Sequence, residues 1–312
     1  MAPQPEPLHA RAGMIASEFS LIGMGAAVAL VALLAAALQR NVAMPIVRPA
    51  LATAAGLSSC GLLAALLTRY FAVGVSPAAY PSESRDFAWF IGVATSMTAM
   101  AWWGTAALGD LQAVVRGGGT PPHWPVLMTI CALITGVFAI ATLAILSLRA
   151  LAALQSNPLQ PVGQMLQACG HTLLAGLGLI TVIAYSADLM SLELRYYLGT
   201  AMTTTGAHTI LWSAWILRGS RRARRQLLAS GVRVPMLERG HRLATAALLL
   251  GLILPCLVIL VDLVAVTDVG LPIAGAVLAA SNHAMRYGLV LLPVNAFRHL
   301  TPPHGQTPSA LP

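Results

Sequence analysis

The 312-residue chain contains no lysine and only ten acidic residues, so charged side chains make up 9% of it, where soluble domains carry roughly 25%. That deficit excludes an ordinary water-soluble globule. Cysteine is scarce as well: Cys60, Cys131, Cys169 and Cys256 all lie inside apolar runs and form no C-x-x-C pair. Neither a disulfide framework nor a zinc site is expected from them. Nucleophile elbows, Walker loops, H-E-x-x-H motifs, paired intramembrane carboxylates and aspartate-rich prenyl-diphosphate motifs are absent too. No motif here points to a free-standing hydrolase or prenyltransferase, and an enzymatic role, if the chain has one, is expected to be that of a non-autonomous subunit.

What the chain has in abundance is apolar sequence, at 57% of its residues. A bilayer core about 30 Å thick needs about 20 apolar residues per helix. Eight stretches qualify, near residues 17–39, 50–73, 87–109, 124–148, 164–188, 194–217, 243–266 and 270–297. The pattern predicts an all-α polytopic membrane protein with about eight transmembrane helices. A tail over residues 1–16 precedes an eight-helix domain over 17–298, and residues 299–312 read as a disordered tail. Segment 74–86 reads as a turn-rich connection and 218–242 as a basic loop broken by Gly231 and Pro235.

Of the eighteen arginines Arg286 falls within the eighth span, and the other seventeen are distributed unevenly between the two sides that eight spans define. One side takes Arg11, Arg69, Arg85, Arg149, Arg298 and the cluster Arg218, Arg221, Arg222, Arg224, Arg225, Arg233, Arg239 and Arg242; the other keeps Arg40, Arg48, Arg116 and Arg195. The positive-inside rule then puts both termini in the cytoplasm of a cell inner membrane. The formal charge of +8 is assigned to the bilayer and not to nucleic acid.

Polar groups inside apolar spans are costly to keep and so mark candidate sites. His171 and His208 fall at matched depth on the fifth and sixth spans, as two axial ligands of a b-type haem would require. A quinone or proton role and a purely structural one stay open for the same pair. In the eighth span, Asn282, His283 and Arg286 form a polar patch placed near mid-membrane, with His283 and Arg286 at i, i+3. Its expected ligand is a quinone carbonyl, a haem propionate or a neighbouring carboxylate, Asp262 being the one acid well inside a span. Asp110, Asp188, Glu193, Asp262 and Asp268 otherwise read as a ring at the outer ends. No metal ligand set is defined.

The run from His241-Arg242 through Pro255 and the run Ala284-Met285-Arg286-Tyr287-Gly288-Leu-Val resemble the closing helices of the membrane anchor subunits of polysulfide-reductase and DMSO-reductase type complexes. The resemblance covers about sixty residues; the loop Val75-Ser76-Pro77-Ala78 departs from the family's Leu-Gly-x-Pro pattern. It implies a membrane subunit exchanging electrons between quinone and an iron–sulfur or molybdenum-enzyme partner, with or without haem b. Arg286 would polarise a quinone carbonyl while His283 or His208 carries the proton. The alternatives are a small-solute transporter holding an anion at Arg286, with Pro255 and Pro272 marking gating helices, and a membrane sensor or assembly protein.

Overall fold

The computed structural model describes residues 7–38, 40–72, 83–116, 124–152, 159–229, 235–265, 267 and 269–291. Among them the helices are α1 (Pro7–Leu38), α2 (Arg40–Ala72), α3 (Glu83–Arg116), α4 (Trp124–Ala152), α5 (Leu159–Ser186), α6 (Leu192–Ala229), α7 (Pro235–Leu248), α8 (Leu254–Ala265) and α9 (Gly270–Leu291). A π-turn over Leu249–Ile253 joins α7 to α8, so these two form one rod and the described chain has eight rods. Stretches long and apolar enough to cross a bilayer occur in five of them: Ala16–Ala37, Pro45–Leu67, Thr129–Leu146, Met165–Ser186 and Glu238–Ala265. The chain is an all-α polytopic membrane protein.

The outward faces fit that environment. On α4 the exposed residues Ile130, Leu133, Val137 and Ile140 recur at helical spacing, and α8 presents Leu257, Leu260, Val261 and Val264. In water such stripes would be an aggregation liability, whereas in lipid they cost nothing. Hydroxyls are managed locally: Thr98, Thr135, Thr142, Thr181 and Thr209 each donate to the carbonyl four residues earlier. No hydroxyl in this set is left facing hydrocarbon unbonded.

With no hydrophobic drive between helices inside lipid, close packing through small residues holds the bundle together. The most enclosed span is on α5. A Cβ on Gly176 would lie 2.6 Å from the Ala27 Cβ of α1, and one on Gly178 would lie 2.3 Å from the Gly275 carbonyl oxygen of α9. Contacts of Gly23 with Thr172 and Gly176 with Ala27 run in the same direction along α1 and α5, making those helices parallel. Against α6 and α9 the register reverses, so α5 is antiparallel to both.

The α5–α6 reversal is short because its ends are capped. Leu189 N–H donates to the Ala184 carbonyl (2.8 Å) and Asp188 N–H to that of Tyr185 (3.1 Å), a Schellman pair closing α5. Asp188 occupies the left-handed position at φ 55°, where aspartate is among the few tolerated non-glycine residues. Ser191 then caps α6, its Oγ accepting the Leu194 N–H at 3.2 Å. The π-turn has an equally local cause. Pro255 has no N–H to return to Gly251, and the Leu254 N–H reaches back five residues to Leu249 instead.

Several boundaries differ from the sequence reading. The expected tail over 1–16 is helical from Pro7 onward. The expected loop over 218–242 is mostly helix, because Arg-Arg-Ala-Arg-Arg-Gln-Leu-Leu-Ala continues α6 with strong helix formers and α7 begins at Pro235. The end of the turn-rich segment, 83–86, belongs to α3. Residues 73–82, 230–234 and 292–312, including the tail over 299–312, lie outside the described residues.

Candidate functional site

Near the end of the bundle where α5 begins, polar side chains converge from α1, α5, α6 and α9. Arg286 on α9 donates through Nη2 to the Ala168 carbonyl at 3.3 Å and to the Thr172 hydroxyl of α5. Thr172 passes its own proton to the same carbonyl at 2.7 Å, so one peptide oxygen anchors both donors. One turn back on α9, Asn282 is fully buried and its Nδ2 donates to Ser20 Oγ of α1 at 3.2 Å. On the adjacent face of α5, His171 Nε2 and Ser213 Oγ of α6 are 3.4 Å apart.

Four buried polar atoms at this end have no hydrogen-bond partner among the described residues: Arg286 Nε, Asn282 Oδ1, Gln167 Oε1 and Trp212 Nε1. A buried donor or acceptor left unpaired costs about 1–3 kcal/mol. Arg286 also has no carboxylate partner among the described residues. The cluster therefore offers a donor from a fixed cation and an acceptor one turn away, both unsatisfied by protein.

The sequence-derived candidates separate into inner and outer faces. Asn282 and Arg286 come together, as i, i+4 neighbours on the buried stripe of α9 that also contains Leu271, Ala274, Leu278 and Met285. His283 does not join them. It is exposed and continues the outward stripe of Ile273, Ala276, Val277 and Ala280. Arg286 is also shallower than mid-membrane: its partners lie three and seven residues into the span that starts at Met165, about 5–10 Å from the edge at 1.5 Å per residue.

The histidine pair is divided in the same way. His171 is inside the bundle, whereas His208 is exposed on α6 and meets the Trp212 ring edge-on at 6.2 Å between centroids. Between the two helices at this level there is no space for a flat macrocycle, since a Cβ on Gly170 would stand 2.3 Å from Thr209 Oγ1. The residues present do not fit a haem held by His171 and His208.

Asp262 is not available to Arg286 either. It is 1% exposed and holds Arg195 of α6 through one carboxylate oxygen, at 3.1 Å from Nε and 2.7 Å from Nη2, while Thr267 donates to the other. Its place in an outer solvated ring is thus corrected to a buried ion pair, while Asp188 and Glu193 are exposed as expected and Asp110 and Asp268 carry no described side chain. Thr172, Gln167, Ser20 and Ser213 escaped the sequence reading. The polar density of Gln167-Ala-Cys-Gly-His171-Thr172 was the available signal for two of them. No protein-family model matches the chain, and comparison with curated proteins gives no match.

Proposed function

We propose that the protein is the membrane subunit of an oxidoreductase that binds a quinone headgroup between α1, α5 and α9. The observation that carries this reading is the pairing of two unsatisfied groups, Arg286 Nε and Asn282 Oδ1, one turn apart on a buried helix face. Arg286 donates to a quinol oxygen and stabilises the negative charge that develops on it as its proton leaves ahead of the electrons. Asn282 accepts from the hydroxyl of the quinol form, and Ser20 holds its amide in place. Thr172 and Ala168 orient the guanidinium, which makes them positioning residues. Quinol oxidation releases two electrons, which pass to an iron–sulfur or molybdenum-enzyme partner, and two protons, which pass to water at the nearby end of the bundle. Haem b has no part in this version.

The reading places the chain in a cell inner membrane with both termini in the cytoplasm, which puts the polar cluster and the basic end of α6 on the cytoplasmic side. Reporters fused after Arg225 and at the C-terminus are expected to score cytoplasmic together. Disagreement between them would make the span count odd and remove the depth argument.

Arg286, lacking a carboxylate partner among the described residues, also supports a second reading, a carrier for a small anionic solute. The experiment that separates the two uses purified protein in proteoliposomes with a short-chain naphthoquinol and, separately, small organic anions. Saturable quinol binding without solute uptake supports the oxidoreductase subunit. Uptake without quinol binding overturns it.

A further inference from the structure

Residues 192–229 make α6 a 38-residue helix, about 57 Å long and nearly twice the thickness of a bilayer core. Its level is fixed by α5. A Cβ on Gly163, two residues outside the span that starts at Met165, would meet the rings of Trp215 at 2.5 Å and Trp212 at 3.0 Å. These tryptophans pack edge to face with centroids 5.7 Å apart, and Trp215 is exposed, the placement of an interfacial anchor. Past Trp215 the helix continues with Arg218, Arg221 and Arg225, all exposed and spaced i, i+3, i+7 along one face.

At 1.5 Å per residue Arg218 and Arg221 stand about 5 and 9 Å beyond Trp215, within reach of a headgroup layer roughly 5–7 Å deep. Arg225 is one turn farther out. The extension is held beside α7, because Arg221 Nε donates to the buried His241 Nε2 at 3.3 Å. No acidic residue occurs between Glu193 and Glu238, and Glu238 is engaged by Arg242 at 3.7 Å. Among the described residues Arg218, Arg221 and Arg225 thus have no carboxylate partner, and the inner two stand at headgroup depth.

We infer that the outer turns of α6 are a binding site for anionic phospholipid, in which Arg218 and Arg221 hold headgroup phosphates of the leaflet that Trp215 touches and Arg225 adds positive charge just above them. Guanidinium suits this ligand because its planar fork pairs with phosphate oxygens. The depth argues for lipid over a soluble acidic protein: the two inner arginines lie where a headgroup already is, and a protein would have to displace it. The inference is independent of the quinone site, which uses none of these residues.

The test exchanges the purified full-length protein into nanodiscs of phosphatidylcholine containing 20% phosphatidylglycerol and measures, by mass spectrometry, the lipid that stays bound. Each near-surface charge is worth about fivefold, the equivalent of roughly 1 kcal/mol. Wild type is expected to retain phosphatidylglycerol at least tenfold over its share. The variant Arg218→Gln/Arg221→Gln/Arg225→Gln is expected to fall to near parity, and the corresponding triple lysine variant to keep most of the preference. A preference unchanged in the glutamine variant overturns the site, as does wild type without any preference. Binding of a soluble polyglutamate peptide equally in discs with and without phosphatidylglycerol overturns it too, since the face would then be directed at an acidic protein.

Discussion

Replacement of Arg286 by glutamine is expected to leave the protein accumulating in membranes at the wild-type level while weakening naphthoquinol binding by at least tenfold. The two outcomes follow from where the guanidinium is satisfied. Its Nη2 rests on Thr172 and the Ala168 carbonyl, neutral acceptors that a glutamine amide also suits, whereas its Nε has no protein partner. Removing the charge also removes the cost of burying it, and no carboxylate among the described residues is stranded by the change. A hydrogen bond to a charged group contributes about 1.5–3 kcal/mol, and tenfold in affinity is about 1.4 kcal/mol. Arg286→Lys keeps the charge but not the planar fork and should fall between the two. His283→Ala, on the exposed face of the same helix, should bind as wild type does. If Arg286→Gln fails to accumulate while Arg286→Lys is normal, the arginine is structural. Undiminished binding in Arg286→Gln would remove it from the site.

Both the strength and the weakness of reading this chain come from the same helical arithmetic. Hydropathy and length located all eight rods, because spanning a bilayer demands about 20 apolar residues whatever their neighbours. Residue counting also placed His171 and His208 at one height, and α5 and α6 do meet there, Gly170 against Thr209. Height is not azimuth, however. A step of one residue turns the side chain by about 100°, which is enough to put Thr209 in the interface and His208 on the surface. The same step separates Asn282 from His283. In Ala279-Ala-Ser-Asn-His-Ala the polar residues are consecutive and the rest are small, so no periodic stripe marks the inner face. The partner of Asp262 is illegible for another reason: Arg195 lies 67 residues away, at the outer edge of the sixth span, where arginine is ordinarily solvated. The extension of α6 was hidden by its charge, which resembles a loop in a membrane sequence although its residues are strong helix formers.

The largest loss of stability is expected from breaking that ion pair. Asp262 and Arg195 tie the last turns of α8 to the first turn of α6, with two guanidinium nitrogens on one carboxylate oxygen and the Thr267 hydroxyl on the other. The carboxylate is 1% exposed, and removing one partner of a buried pair leaves an uncompensated charge at a cost of about 3–5 kcal/mol. Arg195→Gln and Asp262→Asn should each lower the thermal midpoint by on the order of 10 °C, measured by fluorescence-detected size exclusion after heating. Thr267→Val removes the one hydroxyl that donates to Asp262 Oδ1 and should cost about 1–2 kcal/mol. Gly270→Ala belongs to the same set, because its Cβ would come within 2.5 Å of Asp262 Oδ1. Replacing both charges together, Arg195→Met with Asp262→Leu, should recover much of the loss, since paired buried charges exchanged for packed apolar groups of similar volume are often neutral in stability. The same double variant should retain naphthoquinol binding, because the pair stands at the end of the bundle away from Arg286. Additive losses in the double variant would show that the two side chains act separately, and a loss of binding without a loss of stability would transfer Asp262 to the ligand site.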